Sequence, residues 1–355
     1  MIMGKIITAL VFLNLFLVDC WAQNHNFIAM NQTATVQNNT SFWNDSNFQS
    51  KNPILAQNQQ APRRTSPPKS QGKTNDQSDG KFSVMIIGSG APVYNPERAG
   101  PSAMVRVGNL SFLVDMGNGT QARLIEAGIR PRQLNALFFT HHHLDHNEEF
   151  APIFIGVLLG GQPFLIAGTE KTEAFVQAIT SLYDEDIEYR LNRRNRTFDE
   201  VKDNYRIKEL KGGEQFEYKG IKISTIKVNH TIYTIAFRFD MGGKSIVISG
   251  DVAYSPSLPE LAKDADVLVI DSGGVIKKGK PRRRPPGGGP GGQNRVRAHS
   301  NMDEIGRMAK DANVKKLVLT HLTPGEVDEV ATKEALAKQF KGEVIFGHDL
   351  MEVSP

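Results

Sequence analysis

The 355-residue chain has almost no cysteine: Cys20 is its single thiol. One thiol closes no intramolecular disulfide, so covalent cross-linking is excluded as a source of stability. Apolar residues are also scarce, at 39% of the sequence, so part of the chain is expected to lie outside any core. Neither sign of charge dominates. Against 42 Lys and Arg stand 38 Asp and Glu, and a net +4 says less than where the basic residues sit. The extended apolar run, Ile6 to Val18, falls short of the ~20 residues a spanning helix needs, so no stable membrane insertion is expected.

That run follows Lys5 and ends in Cys20-Trp21-Ala22, a charged start, an apolar middle and a small-x-small exit. Residues 1–22 therefore read as a secretory signal cleaved after Ala22, giving a secreted or periplasmic protein. Asp19 stands where lipid modification of Cys20 would require a small residue, which argues against a lipid anchor. The mature chain then has no cysteine, and its stability must come from its core and from bound metal. Residues 23–80 are rich in Asn, Gln, Ser, Thr and Pro and are expected to form a disordered spacer. Sequons such as Asn31-Gln32-Thr33 and Asn44-Asp45-Ser46 matter only in a eukaryotic secretory route.

A domain is expected over residues 81–355. Phe82–Ile87 reads as a strand leading into Gly88-Ser89-Gly90-Ala91-Pro92, which has neither the spacing of a dinucleotide fingerprint nor a Gly-Lys-Ser/Thr ending. Gly108-Asn109 between two apolar runs signals a hairpin, and Asp115-Met116-Gly117-Asn118-Gly119 a turn. Helices are expected at Gln121–Ala127, Phe150–Leu159, Thr169–Leu182, Met302–Asp311 and Val327–Phe340. The charged stretch Asp184–Asn204 is expected to cap the site from outside, and Glu343–Phe346 to be the last strand.

The chain is organised around Leu137-Phe138-Phe139-Thr140-His141-His142-His143-Leu144-Asp145-His146. Alternation along an extended strand turns His141 and His143 to one side and His142 to the other. Asp145 and His146 follow on the turn, close enough to serve a second ion, and the donor set suits Zn²⁺ or a similar divalent metal. The same device recurs: an alternating strand leads to His230, and apolar strands end at Asp251 and at His321. One such histidine would be unremarkable; repetition at strand ends describes an active site at one edge of a sheet. Between residues 277 and 297 a Pro/Gly-rich basic loop carries Lys277, Lys278, Lys280, Arg282, Arg283 and Arg284. It reads either as a solvated loop or as a contact for a polyanion.

With its ungapped His-x-His-x-Asp-His, its Ser249-Gly250-Asp251 and its strand-terminal His321, the chain resembles the metallo-β-lactamase superfamily over residues 81–355. The resemblance implies an α/β fold, an αββα sandwich with a dinuclear metal site between the sheets. It implies His141, His143 and His230 at one ion, Asp145, His146 and His321 at the other, and Asp251 as the bridge. Asp251 disfavours a true β-lactamase. Pro96–Ser102, Asp184–Arg190 and Leu317–Gly325 are similar to the branch that holds zinc arylsulfatases and ribonuclease Z, which places His299 as a catalytic residue for leaving-group chemistry and Asp145 as ligand and orienter of the nucleophile. Ile270-Asp271 stands where that branch commonly has His-Glu, so a relay from this carboxylate to His299 is expected to be shortened or altered. No glycine- and proline-rich arm lies between His146 and Asp251, which weighs against a tRNA substrate.

These readings give an exported hydrolase with two divalent ions, Zn²⁺ first with Mn²⁺ or Fe as options, acting on sulfate or phosphate esters of small substrates, with a homodimer as an option. The alternatives are a lactone or other carboxylic-ester hydrolase and, in a different class, a non-catalytic protein binding metal and polyanions.

Overall fold

The computed structural model describes residues 81–279 and 297–355. The signal and spacer segments, and Lys280, Arg282, Arg283 and Arg284 of the basic loop, lie outside the described residues. Two seven-stranded mixed sheets face each other. The first contains β1 (Phe82–Gly88), β2 (Ser102–Val107), β3 (Leu110–Val114), β4 (Ala136–Phe138), β5 (Phe164–Gly168), β6 (Tyr205–Glu209) and β14 (Met351–Val353), in the order β14-β1-β2-β3-β4-β5-β6. The second contains β7 (Gln215–Tyr218), β8 (Ile221–Val228), β9 (Thr234–Met241), β10 (Lys244–Ile248), β11 (Val267–Asp271), β12 (Lys316–Thr320) and β13 (Glu343–Phe346), in the order β13-β12-β11-β10-β9-β8-β7.

Strand alternation sorts the apolar residues into three layers. Phe112, Phe138, Phe237, Phe239, Val269 and Val318 point between the sheets. Their chain neighbours Leu113, Leu137 and Phe139 point outward, to a layer shared with α1 (Thr120–Glu126), α2 (Phe150–Leu158), α3 (Thr172–Leu182) and α4 (Asp184–Asn192). On the second sheet Leu268, Leu317 and Leu319 point outward to α5 (Leu258–Leu261), α6 (Met302–Asp311) and α7 (Glu329–Leu336). A parallel strand covered on both faces must be apolar at every position, which is why these strands read as unbroken runs. Phe138 is fully buried against Phe112, Phe237 and Phe239, and truncating such a ring costs about 3–5 kcal/mol.

The structure changes four expectations. Asp184–Asn192 is a helix that sends Ile187 and Leu191 into the outer apolar layer of the first sheet, so it covers that face rather than the histidines. Tyr205–Glu209 and Gln215–Tyr218, not foreseen as strands, form one edge of each sheet. The basic loop has an anchored start: Lys277 bridges to Val327 and donates to Thr323 O, while Lys278 pairs with Glu326. The chain also ends in a further strand after Phe346, β14, which pairs antiparallel with β1.

Glu352 fastens that last strand. Its carboxylate accepts from Lys81 Nζ at 2.8 Å and Ser83 Oγ at 2.6 Å, with Arg106 Nη1 at 3.3 Å. Burial alone would raise its pKa, but these three donors hold it below the ordinary glutamate value. A depressed carboxylate contributes stability above its unfolded pKa of about 4.3 and loses it as pH falls through the folded value. Glu352→Gln is therefore expected to cost on the order of 1 kcal/mol at pH 7 and less at pH 3. Thermal unfolding at the two pH values tests this, and an equal loss at both would refute it.

Candidate metal centre

The carboxyl ends of strands in both sheets meet at one edge of the sandwich. β3 leads to Asp115, β4 to His141, His143, Asp145 and His146, β8 to His230, β10 to Asp251, β11 ends in Asp271, and β12 leads to His321. Such ends are where α/β sheets place their ligands. The backbone bends sharply there. Asp115 and His321 have φ of 59° and 58°, a left-handed conformation that costs non-glycine residues about 1–3 kcal/mol. Gly250, before Asp251, has φ 61°, and a Cβ there would meet Thr140 Cβ at 2.6 Å. Only glycine lets the two sheets approach this closely.

Three groups of ligating atoms converge: His141, His143, His230 and Asp251; Asp145, His146, Asp251 and His321; and Asp251, Asp271, His299 and His321. All seven residues expected as ligands fall within the first two groups. His142 turns away as alternation requires, with Nε2 2.9 Å from Thr172 Oγ1 and its ring against Phe139 and Phe175. His348 is exposed and apart, and His25 lies outside the described residues.

Neighbouring hydrogen bonds decide which ring nitrogens are free. Thr140 gives its one hydroxyl proton to Asp115 Oδ2 (2.7 Å), so its oxygen accepts from His141 Nδ1 (3.0 Å) and leaves a lone pair on His141 Nε2. His230 Nδ1 donates to Ala298 O (2.8 Å), and His146 Nδ1 to Asp115 Oδ2 (2.8 Å). Each thus presents Nε2 inward. In the first group, His143 Nδ1 lies 3.0 Å from His141 Nε2 and 3.1 Å from His230 Nε2. In the second, the His146 and His321 Nε2 atoms lie 3.1–3.5 Å from carboxylate oxygens of Asp145 and Asp251. Ligands of a tetrahedral zinc with Zn–N near 2.0–2.1 Å stand roughly 3.3 Å apart, so both spacings fit a cation. His146 Nε2 and Asp251 Oδ1 are buried and without hydrogen-bond partners among the described residues, as atoms reserved for a metal would be. Asp251 aims Oδ1 at His146 and His321 and Oδ2 at His230, 3.7 Å away.

The electrostatics agree with this fit. Burial, reinforced by His146, pushes His141 well below the ordinary histidine value, and burial also lowers His143 and His230. These three offer neutral imidazoles at neutral pH. Burial would protonate Asp251, yet His146 and His321 hold it well below the usual carboxylate range. Asp145 is likewise lowered, against its burial, by His321 and His146. Burial opposes a charge on His146 and His321 too, but Asp251, with Asp115 and Asp271, raises both. A cation entering the second group would displace those protons.

Two acids were undervalued in the sequence. Asp115 read as a turn residue, but it supports one histidine of each of the first two groups, His146 directly and His141 through Thr140. Such outer contacts are worth about 10–100-fold in metal affinity. Asp115→Asn should weaken the binding of both ions by that much in competition with a chelator; an unchanged affinity would remove its supporting role. Asp271 was expected to serve His299 through a shortened or altered relay. The contact is instead direct, with His299 Nδ1 2.6 Å from Asp271 Oδ2, a carboxylate also held by Val252 N and Gly273 N. This hydrogen bond raises the His299 pKa against burial. The His299 ring is one-third exposed and lies 5.1 Å from that of His321.

Four layers with adjoining His/Asp groups at their strand ends define a metal-dependent hydrolase with a dinuclear divalent-metal site. The comparisons make the class specific. A family model described as a beta-lactamase superfamily domain matches residues 111–322. Ribonuclease Z of Mycobacterium bovis is 31% identical over 287 residues, covering 77% of this chain and 98% of the relative. Two solved folds are similar at 20% identity. One is the metallo-beta-lactamase fold protein YhfI of Bacillus subtilis, with TM-score 0.61, covering 78% of this chain and all of the other. The second is the short form of human tRNase Z, with TM-score 0.57, covering 77% and 98%. The chain belongs to the metallo-β-lactamase superfamily, in its ribonuclease Z-like branch, and is a hydrolase acting on ester bonds. Among the described residues no helix is long and apolar enough to cross a membrane.

Proposed function

We propose that the chain is an exported phosphodiesterase, and that its site divides as follows. His141, His143 and His230 would hold one divalent cation and Asp145, His146 and His321 a second, with Asp251 belonging to both groups. The nitrogen-rich donor set favours Zn²⁺ over Mn²⁺ or Fe. Bound there, the pair supplies Lewis acidity and a nucleophile usable at neutral pH. The protein's own work is to fix the imidazole tautomers through Asp115, Thr140 and Ala298, and to keep Asp145 and Asp251 ionised. His299 delivers a proton. Its Nδ1 is committed to Asp271, which leaves Nε2 to protonate the departing alkoxide.

The observation that carries the phosphodiester reading is the Asp271–His299 pair beside the second ligand group, in a chain whose similar relatives include ribonuclease Z. Export rests on the Lys5, Ile6–Val18 and Cys20-Trp21-Ala22 pattern. The test is a panel on the purified mature chain: bis(p-nitrophenyl) phosphate, p-nitrophenyl sulfate and a lactone. The reading expects the diester to give the highest kcat/KM. A preference for the sulfate or the lactone would overturn it, and turnover of none by a metal-loaded chain would point to a binding protein.

A further inference from the structure

Beside the second ligand group lies a cavity of about 140 Å³ that the metal chemistry does not use. Its walls include Tyr94, Asn95, Arg98, Asn118, Asp145 and Glu148. Asp145 is the shared wall, since it also belongs to the group with His146, Asp251 and His321. The loop that carries Tyr94 is pinned at its base. Gly90 N donates to Ala99 O at 2.8 Å, Ala99 N to Asp349 Oδ2 at 2.7 Å, and Leu322 N to Ser89 O at 2.9 Å, which ties the loop to the residue after His321. A Cβ on Gly100 would meet Asn118 N at 2.7 Å, and one on Gly117 would run into Asp145 O, so the loop, Asn118 and Asp145 pack as one unit.

Tyr94 stands 77% exposed on this held loop, an open aromatic ring beside a metal centre. Glu148 is exposed as well. Its neighbour Glu149 is committed to Gly119 N and Gln121 N, at 2.7 and 2.6 Å, whereas Glu148 has no hydrogen-bond or ion-pair partner among the described residues. Arg98 is the one cation among the described residues that line the cavity, and it is turned to the loop's base, where Nη1 donates to Ser89 Oγ at 2.7 Å and Gly347 O at 2.8 Å. Lys277, which stands near Arg98, likewise donates to backbone, at Thr323 O and Gly325 O. A free carboxylate and an open ring on one small cavity are the parts of a cation site: the ring face attracts an ammonium, and the carboxylate neutralises it. An anion would face Glu148 and Asp145 instead. A purely apolar group would desolvate Glu148, Asn95 and Asn118 without replacing their hydrogen bonds to water.

We infer that this cavity is a subsite for a cationic alcohol, an amino alcohol or its quaternary form, esterified to the phosphate that is cleaved at the metal centre. The inference rests on the phosphodiesterase reading above. His321 faces Asp145 with Nε2 at 3.4 Å and Asp271, the partner of His299, with Nδ1 at 3.5 Å. Cavity and acid therefore lie off different edges of this ring, which puts the retained alcohol in the cavity and the departing one at His299. A water oxygen joins phosphorus, the bond to the departing oxygen breaks, and that oxygen takes the His299 proton, which the water's proton replaces through solvent. The products are a free alcohol and the phosphomonoester of the cationic alcohol. The test compares the metal-loaded full chain with its Glu148→Gln, Tyr94→Leu and doubly substituted variants, with near-UV circular dichroism as the folding control. The probes are p-nitrophenyl phosphorylcholine, its uncharged 3,3-dimethylbutyl isostere and the corresponding glycerol ester. The choline ester should exceed the isostere about tenfold in kcat/KM, mostly through KM, the combined effect of one cation–π contact and one exposed ion pair. Each single variant should keep about threefold of that preference, and the double variant none. Calorimetric binding of phosphocholine against 3,3-dimethylbutyl phosphate should show the same ratios without turnover. Equal handling of the choline ester and its isostere, a glycerol ester preferred to both, or a preference that survives in the double variant would overturn the subsite. Failure of the phosphodiesterase reading shows separately, as no turnover of any of these esters while the calorimetric preference stands.

Discussion

Asp251→Ala is expected to yield a folded chain that retains neither ion tightly and hydrolyses the diester about 10²–10⁴-fold more slowly. Asp251 is 3% exposed and belongs to all three ligand groups, with one oxygen facing His146 and His321 and the other facing His230. An outer-contact residue costs about 10–100-fold in affinity when lost; a residue contacting both ions should cost more, because each loses a ligand and the repulsion between the cations loses its screen. Asp251→Asn separates charge from shape, since the amide fills the space with a neutral oxygen and should be nearly as damaging. Near-UV circular dichroism controls for folding. A folded alanine variant with full metal content and full turnover would contradict the bridging assignment.

The second large effect depends on the leaving group. His299→Ala should slow a diester with an alkoxide leaving group about 10²–10⁴-fold, the usual range for a general acid. The same change should cost under about tenfold when the leaving group is p-nitrophenolate, a stable anion in neutral water that needs no proton. A merely structural role would depress both substrates alike, which makes the split diagnostic. Asp271→Asn should follow the same pattern more weakly, because it orients His299 through Nδ1 without touching substrate.

The layers and the ligands were legible for a shared reason. Parallel strands covered on both faces read as apolar runs, with His141, Asp251 and His321 at or just beyond their ends, while His230 follows the alternating antiparallel strand β8. The supporting residues were hidden because their roles depend on distant pairing. Asp115 lies before Met116-Gly117 and looks like a turn. It reaches Thr140 and His146 because β3 pairs in parallel with β4, setting Val114 beside Phe138. Asp271 and His299 are separated by the basic loop, so no local signal joins them. Helix Asp184–Asn192 offers two buried apolar residues among many charges, too few for a clear period, and so looked like a solvent cap. The terminal strand Met351–Val353 has three residues, and only its partner β1 makes it a strand.

The central claim is that residues from His141 to His321 enclose a pair of cations. Metal content per chain, measured by inductively coupled plasma mass spectrometry on the purified mature protein after exhaustive dialysis, tests it most directly. Two divalent ions per chain, with turnover rising in step with the second, is the predicted result. Full turnover with one ion or none would contradict it.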